Sequence, residues 1–203
     1  MTATFTRTTG QTSDPKDWWR RVCWVDTQLA VSGDLPADPA DALEHLSYWV
    51  QEGITDVFDM REEADDSEFI TANSGIVPRW FGIDDNGTSR PDRWFDTVVA
   101  SAAEVLVDPN RRLLVHCHMG INRGPSSLLA IMLAQGWAPT DALDAIRTAR
   151  PIAGIIYAGD AVSWWSRTSG HTVSQTAGHV RDVSNWFDNN GIDIGKVIRR
   201  IRQ

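Results

Sequence analysis

Short apolar runs alternate along this chain with longer stretches whose apolar residues recur every three or four positions, the pattern of buried strands alternating with amphipathic helices. Residues 22–25 and 28–31 read as short strands, and Ser32-Gly33-Asp34 followed by Pro36 marks an exit turn. Asp38 stands at an N-cap position and Pro39 suits a first helical position. Leu43, Leu46 and Val50 then share one face until Gly53 stops the helix. Residues 54–60 read as a buried strand, residues 61–68 as an acidic loop or short helix, and residues 76–83 as a strand in which Pro78 implies an edge position or an irregularity. The turn-rich Asp84-Asp85-Asn86-Gly87 comes next. It leads to a helix capped by Asp92, with Trp94, Phe95, Val98, Val99, Ala102 and Val105 on its apolar face. Residues 113–116 form the next strand, and a glycine-containing loop connects it to an apolar helix around residues 128–133 that ends at Gly136. Pro139 opens a further helix with Leu143 and Ile146 inward, ending before Pro151.

Residues 157–165 continue as a helix, whereas residues 166–178 are rich in Ser, Thr and Gly and read as a linker. A last amphipathic segment carries Val183, Trp186, Phe187, Ile192, Ile194, Val197, Ile198 and Ile201, interrupted at Gly191 and Gly195. It either docks on the main domain or serves a partner or a second copy. Residues 1–17 lack apolar periodicity and read as a flexible leader. The organisation is therefore a leader at 1–17, a main domain at 18–166, and a linker with a C-terminal amphipathic helical extension at 167–203. The alternation predicts an α/β fold with a mainly parallel central sheet flanked by helices. Ligands of such sheets sit beyond the carboxyl ends of the strands, which directs attention to the segment after residue 116.

Composition narrows the classes. With 203 residues, 42% of them hydrophobic, the chain can bury one sizeable core. Its ten Trp serve as core and rim filler or as an interaction surface. A net charge of −8 disfavours nucleic acid and anionic membrane as partners, since both demand concentrated Lys and Arg. Arg111, Arg112, Arg147, Arg150, Lys196, Arg199, Arg200 and Arg202 read mostly as solvated positions. No apolar stretch is long enough to span a bilayer and the N-terminus lacks a secretory h-region, so the expected location is cytoplasmic. Two cysteines, Cys23 and Cys117, make no disulfide framework and suit a reduced compartment, with a Cys23–Cys117 redox bridge as a minor alternative.

The chemistry concentrates in His116-Cys117-His118-Met119-Gly120-Ile121-Asn122-Arg123-Gly124-Pro125, between the strand at 113–116 and the apolar helix. A short loop at a helix N-terminus turns backbone N–H groups inward and, with the helix dipole, makes an anion site of phosphate size. Gly120 permits a backbone angle that a Cβ opposes, and Gly124 and Pro125 suit the helix entry. The same N–H groups and Arg123 should lower the Cys117 thiol below its free value, while the planar fork of Arg123 binds two phosphate oxygens. His116 is expected to buttress the loop by hydrogen bonding. His118 is expected on the pocket rim rather than on a metal, and neither a metal nor a cofactor is required.

These residues resemble the Cys-x5-Arg signature of the protein tyrosine phosphatase superfamily in its His-Cys-x-x-Gly-x-x-Arg form. The resemblance extends to residues 25–35, to Gly53-Ile54-Thr55-Asp56-Val57 and to residues 142–151, landmarks of the compact dual-specificity phosphatases, and covers about residues 22–166. It implies a cysteine-dependent phosphatase with Cys117 as nucleophile, Arg123 as phosphate clamp, and residues 118–123 as the phosphate-binding loop supported by His116 and Gly124. A general acid must protonate the leaving oxygen. Alignment of Phe81-Gly82-Ile83-Asp84-Asp85 with the downstream Phe95 assigns Asp85 to that role, ahead of Asp84 and, further behind, Asp92. The family carries Ser or Thr directly after the Arg, where this chain has Gly124. That departure keeps open a catalytically weak phospho-ligand binding module. The Gly-x-Asn-Arg wording of residues 120–123 also resembles the RNA 5′-phosphatase branch, from which Gly124-Pro125 departs. A loop without Lys favours phosphoprotein over phosphoinositide, with phosphotyrosine and phosphoserine or phosphothreonine both admitted.

Overall fold

A computed structural model describes residues 14–203 of the chain. The strands are β1 (Cys23–Trp24), β2 (Leu29–Ser32), β3 (Asp56–Arg61), β4 (Val77–Ile83) and β5 (Leu113–His116). The helices are α1 (Pro39–Gln51), α2 (Ser67–Asn73), α3 (Asp92–Leu106), α4 (Arg123–Ala134), α5 (Pro139–Ala149), α6 (Ala158–Thr168), α7 (Val173–Asn189) and α8 (Ile194–Ile201). The sheet order is β1-β2-β5-β3-β4, antiparallel only between β1 and β2. Pro78 does lie on an edge strand, β4, where its missing N–H costs no ladder bond.

Period-two alternation sorts the strand residues onto two faces. Leu29, Val31, Phe58, Met60, Leu113 and Val115 join one core cluster with residues of α3, α4, α5 and α6. Ala30, Val57 and Leu114 join the other, beneath α1 and α2. The central helix α4 is buried from Arg123 to Leu133 and packs against α3, α5, α6 and β5, so the phosphate-type loop preceding it is set on a rigid base. Four parallel strands end on the same side of the sheet. Beyond their carboxyl ends lie Asp34, Glu63, the Asp84-Asp85 pair and Cys117.

Several expectations need correction. Helix α1 buries Ala42, Leu46 and Trp49, while Leu43 and Val50 are exposed at 46% and 49%. The face is rotated to seat the Trp49 indole, whose apolar area exceeds what either smaller side chain offers. Asp92 is the first residue of α3 and caps nothing; the cap position is Pro91, and Asp92 instead pairs with Arg167. Much of residues 166–178 is helical, because Thr172 and Gln175 form a reciprocal capping box that starts α7 at Val173. Residues 1–13 of the predicted leader lie outside the described residues, and Pro15–Trp18 form a 3₁₀ turn capped by Asp14. The apolar stripe of α7 and α8 faces the domain beyond the exposed Val173: Val183, Trp186 and Ile201 are buried in the main cluster, with Phe187, Ile194, Val197 and Ile198 packed against it. Among the described residues no helix is long and apolar enough to cross a membrane.

Candidate active site

The loop of residues 117–122 is shaped by what its carbonyl groups bind. The His118 carbonyl accepts the Trp19 indole N–H at 2.9 Å and the Asp34 N–H at 3.0 Å. Arg150 donates from Nη2 to the Met119 carbonyl at 2.9 Å and from Nε to the Gly120 carbonyl at 2.6 Å. The Ile121 carbonyl accepts the Gly154 and Ile155 N–H groups at 2.7 and 3.1 Å. Four successive carbonyls thus point outward, which turns the amides of the loop toward its centre, where an anion fits. Gly120 has φ +61°, and a Cβ there meets Arg150 Nη2 at 2.4 Å and the Ser32 carbonyl at 2.5 Å, so its predicted conformational role is real on two counts. Ile155 has φ +54°, a strained value for a β-branched residue, on the segment that grips the Ile121 carbonyl.

Cys117 sits at the floor, 2% exposed. Burial pushes its thiol up, opposed by the Arg123 charge and by the Gly124 and Gly120 N–H groups. The expected lowering below the free value is therefore not met in this closed pocket. Arg123, also buried, uses three of its five N–H bonds on protein. Nη1 donates to Glu63 Oε2 at 2.6 Å and to the Ile83 carbonyl at 2.9 Å, and Nη2 donates to Glu63 Oε1 at 2.7 Å. Nε has no hydrogen-bond partner. The end-on fork is thus occupied by Glu63, while the Nε–Nη2 edge stays open for two oxygens of an anion. The hydrogen bonds from Arg123 hold the Glu63 carboxyl at about 2, so it stays ionised and clamps the guanidinium throughout the physiological range.

Asp85 faces that open edge, with Oδ2 3.8 Å from Arg123 Nε and 3.4 Å from Asn122 Nδ2. Asp84, in contrast, is turned to Arg90, whose Nη1 donates to its Oδ1 at 2.5 Å. Asp92 is tied to Arg167. His118 is on the rim, its Nδ1 2.6 Å from Asp34 Oδ2. Met119, Ile121 and Asn122 are buried loop walls. His116 is fully buried with neither ring nitrogen hydrogen-bonded, Nε2 lying 3.9 Å from Asp59 Oδ1, and burial pushes its imidazole below the ordinary value. Its support is ring packing on Trp49, centroids 5.4 Å apart, instead of the expected hydrogen bond. Asp59, Asp66 and His116 bring three ligand-type atoms within 4.8 Å of one another, but the Arg61 guanidinium already bridges the two carboxylates at 2.7 and 2.5 Å.

At Gly124 a Cβ meets the His116 carbonyl carbon at 3.3 Å, tight but not prohibitive. Neither following serine replaces the missing hydroxyl: Ser127 Oγ donates to the Arg123 carbonyl, and Ser126 Oγ accepts the Tyr157 N–H. Sequence reasoning missed Glu63, Arg150, Tyr157 and Trp19. Glu63 lies in the acidic run after β3 and Arg150 closes the landmark at 142–151, whereas Trp19 and Tyr157 carry no local signal.

Solved structures with this fold are numerous. Tk-PTP in its active form superposes with a TM-score of 0.60 at 19% identity, covering 73% of this chain and 98% of that one. Kinase-associated phosphatase with its catalytic cysteine replaced by serine gives 0.61 at 15% identity, covering 75% and 98%. PTPMT1 in complex with PI(5)P gives 0.59 at 17% identity, covering 75% and 97%. The fold is that of the compact dual-specificity phosphatases. No protein-family model and no curated protein matches the sequence. The expected α/β fold with its mainly parallel sheet is thus the observed one, and a dual-specificity-type scaffold brings Cys117, Arg123 and Asp85 together.

Proposed function

We propose that the chain is a cysteine-dependent phosphatase that hydrolyses phosphomonoesters, with phosphotyrosine and phosphoserine or phosphothreonine of proteins as substrates. The observation that carries this reading is the open Nε edge of Arg123, between the Cys117 thiol and the Asp85 carboxyl, with loop amides turned inward around it. A phosphate seated there has its phosphorus over Cys117 Sγ and its ester oxygen toward Asp85.

The deprotonated sulfur attacks phosphorus in line, forming the S–P bond as the P–O bond to the leaving group breaks. Asp85 delivers a proton to the departing oxygen. Water then gives its proton to Asp85 and attacks phosphorus. The S–P bond breaks, releasing inorganic phosphate and the Cys117 thiolate. Arg123 and the amides hold the equatorial oxygens, on which charge is concentrated in the transition state. The loop side chains His118, Met119, Ile121 and Asn122 include no Lys, which supports phosphoprotein over a multiply charged inositide. Cys23 and Cys117 are both free, in keeping with a cytoplasmic, reducing location.

The second reading, a phospho-ligand binding module with negligible turnover, draws on Gly124 and on the engagement of Ser126 and Ser127 elsewhere. Hydrolysis of an aryl phosphate in the presence of a chelator separates the two. The phosphatase reading expects turnover that Cys117→Ser abolishes while binding of inorganic phosphate persists. Unchanged activity in that variant contradicts it, and phosphopeptide affinity without product release favours the module.

A further inference from the structure

The loop of residues 84–90 is fastened at two points to the N-terminal end of α6, at its N-cap Tyr157 and at Asp160 in its first turn. Tyr157 Oη donates to Asp85 Oδ1 at 2.7 Å and accepts the Gly87 N–H at 3.2 Å. Asp160 accepts the Ser89 hydroxyl at 2.8 Å and the Arg90 N–H at 2.9 Å. The Arg90 guanidinium covers the Tyr157 ring, 4.5 Å from its centroid, and its own N–H groups hold Asp84, Asn86 and Thr88. Of the six carboxylate oxygens of Asp84, Asp85 and Asp160, five meet donors of the latch, and the sixth, Asp85 Oδ2, turns to Asn122 Nδ2 instead.

A phenol carries a single proton, and the Tyr157 proton points at Asp85 Oδ1. Burial, together with the hydrogen bond to Asp85, pushes the Tyr157 hydroxyl up to about 12, so it remains a donor at working pH. An oxygen already accepting that bond has no place for a proton of its own in the same direction. When Asp85 is protonated the proton therefore resides on Oδ2, the oxygen that looks toward Arg123 Nε and Asn122 Nδ2.

We propose that Tyr157 is the positioning residue of the acid: it fixes the plane of the Asp85 carboxyl and assigns its proton to the oxygen that faces the leaving group. This rests on the reading of Asp85 as general acid. Tyr157 touches neither phosphate nor leaving group and acts through Asp85 alone. The adjoining α6 then does more than close the core, because its N-terminal end sets the geometry of proton delivery.

The test is Tyr157→Phe, which keeps the ring under Arg90 and removes only the oxygen. The parameter is kcat/KM, which ends at departure of the leaving group and does not sense phosphocysteine hydrolysis. A series of phosphate esters runs from phenols of low pKa, which leave without a proton, to alkyl alcohols, which need one. Tyr157→Phe is expected to lose about tenfold or more on the alkyl ester, within the range of general acid catalysis. On the most acidic phenol the loss is expected to be at most about threefold, so that dependence on leaving-group pKa steepens. An equal loss along the whole series, or none, overturns the assignment of Tyr157. Asp85→Asn, measured in parallel, must steepen the dependence further. If it leaves the dependence flat, the reading of Asp85 itself falls, while a steep Asp85→Asn beside an unaltered Tyr157→Phe removes only the role of Tyr157.

Discussion

At Arg123 a single guanidinium serves two partners through different edges. Glu63 takes the end-on fork and the pocket takes the side edge, so the residue is fixed before an anion arrives and loses little freedom when one binds. Its charge also opposes the burial that raises the Cys117 thiol. Removing that charge in Arg123→Met should raise the thiol further, by about 1–3 pH units, the range of a close opposite charge. Alkylation of Cys117 across pH reads this directly. The sign follows because the cation stabilises thiolate over thiol, and an unshifted midpoint would mean the two groups are uncoupled. Gly124 is the other informative position. Gly124→Ser restores a hydroxyl where the observed contacts demand only a shift of a few tenths of an ångström. If phosphocysteine breakdown limits turnover, rapid mixing shows a burst in the parent protein that shrinks in the variant while steady-state kcat rises. A burst of the same size in both would assign the slow step elsewhere. That Cys117, Arg123 and Asp85 come together was legible in the sequence, because their spacing and local context place them at one loop. Glu63 and Tyr157 were not, since each acts only through a contact across 60 or 72 residues of sequence.

At the scale of elements, the phosphate loop is held by groups that come from four separate segments, and Arg150 is the one that joins most of them. It is fully buried and donates to the carbonyls of Trp19, Arg21, Met119 and Gly120, with a further contact to Cys23 Sγ. Arg150→Met takes away the donor to the Met119 and Gly120 carbonyls, each loss costing about 1–3 kcal/mol, and weakens the hold on Trp19 and Arg21. The expected result is a loss of about 3–5 kcal/mol in urea unfolding, the cost of breaking a buried charged network, together with loss of phosphate binding. A change below about 1 kcal/mol, the size of an ordinary surface substitution, would contradict this role. Strand and helix positions were largely readable from periodicity, because the sheet buries both faces and each helix shows one. The face of α1 was not, since the pattern scores Leu43 and Val50 as it scores Ala42 and Trp49, and only packing volume separates them. The start of α7 was hidden for the opposite reason: Ser, Thr and Gly suggest a linker by composition, yet Thr172 and Gln175 satisfy the first turn of a helix.

Across the whole molecule, Cys117 follows β5 and Asp85 follows β4, with β3 between the two strands, Arg123 opens α4, and the C-terminal helices complete the core on one face. Trp186 donates to Asp144 at 2.6 Å, and Arg147 donates to the Asn190 carbonyl at 2.7 Å, so α7 is tied to α5 by polar as well as apolar contacts. Ending the chain after Ser169 exposes the surface covered by Val183, Trp186 and Ile201, at about 1.5–3 kcal/mol for each large side chain. Thermal unfolding should then shift down by about 10 °C or more, given about 2–4 °C per kcal/mol at this chain length. An unchanged midpoint would mark the segment as energetically separate. Cys23 and Cys117 are both free and buried, not joined in the alternative redox bridge. The measurement that bears most directly on Cys117 as nucleophile is mass spectrometry of protein quenched in acid during turnover of an aryl phosphate. The peptide containing Cys117 should carry one phosphoryl group, absent in Cys117→Ser and longer-lived when water is denied its proton acceptor in Asp85→Asn. Continued turnover with no phosphoryl group on that peptide, or with the group on another residue, would contradict the account.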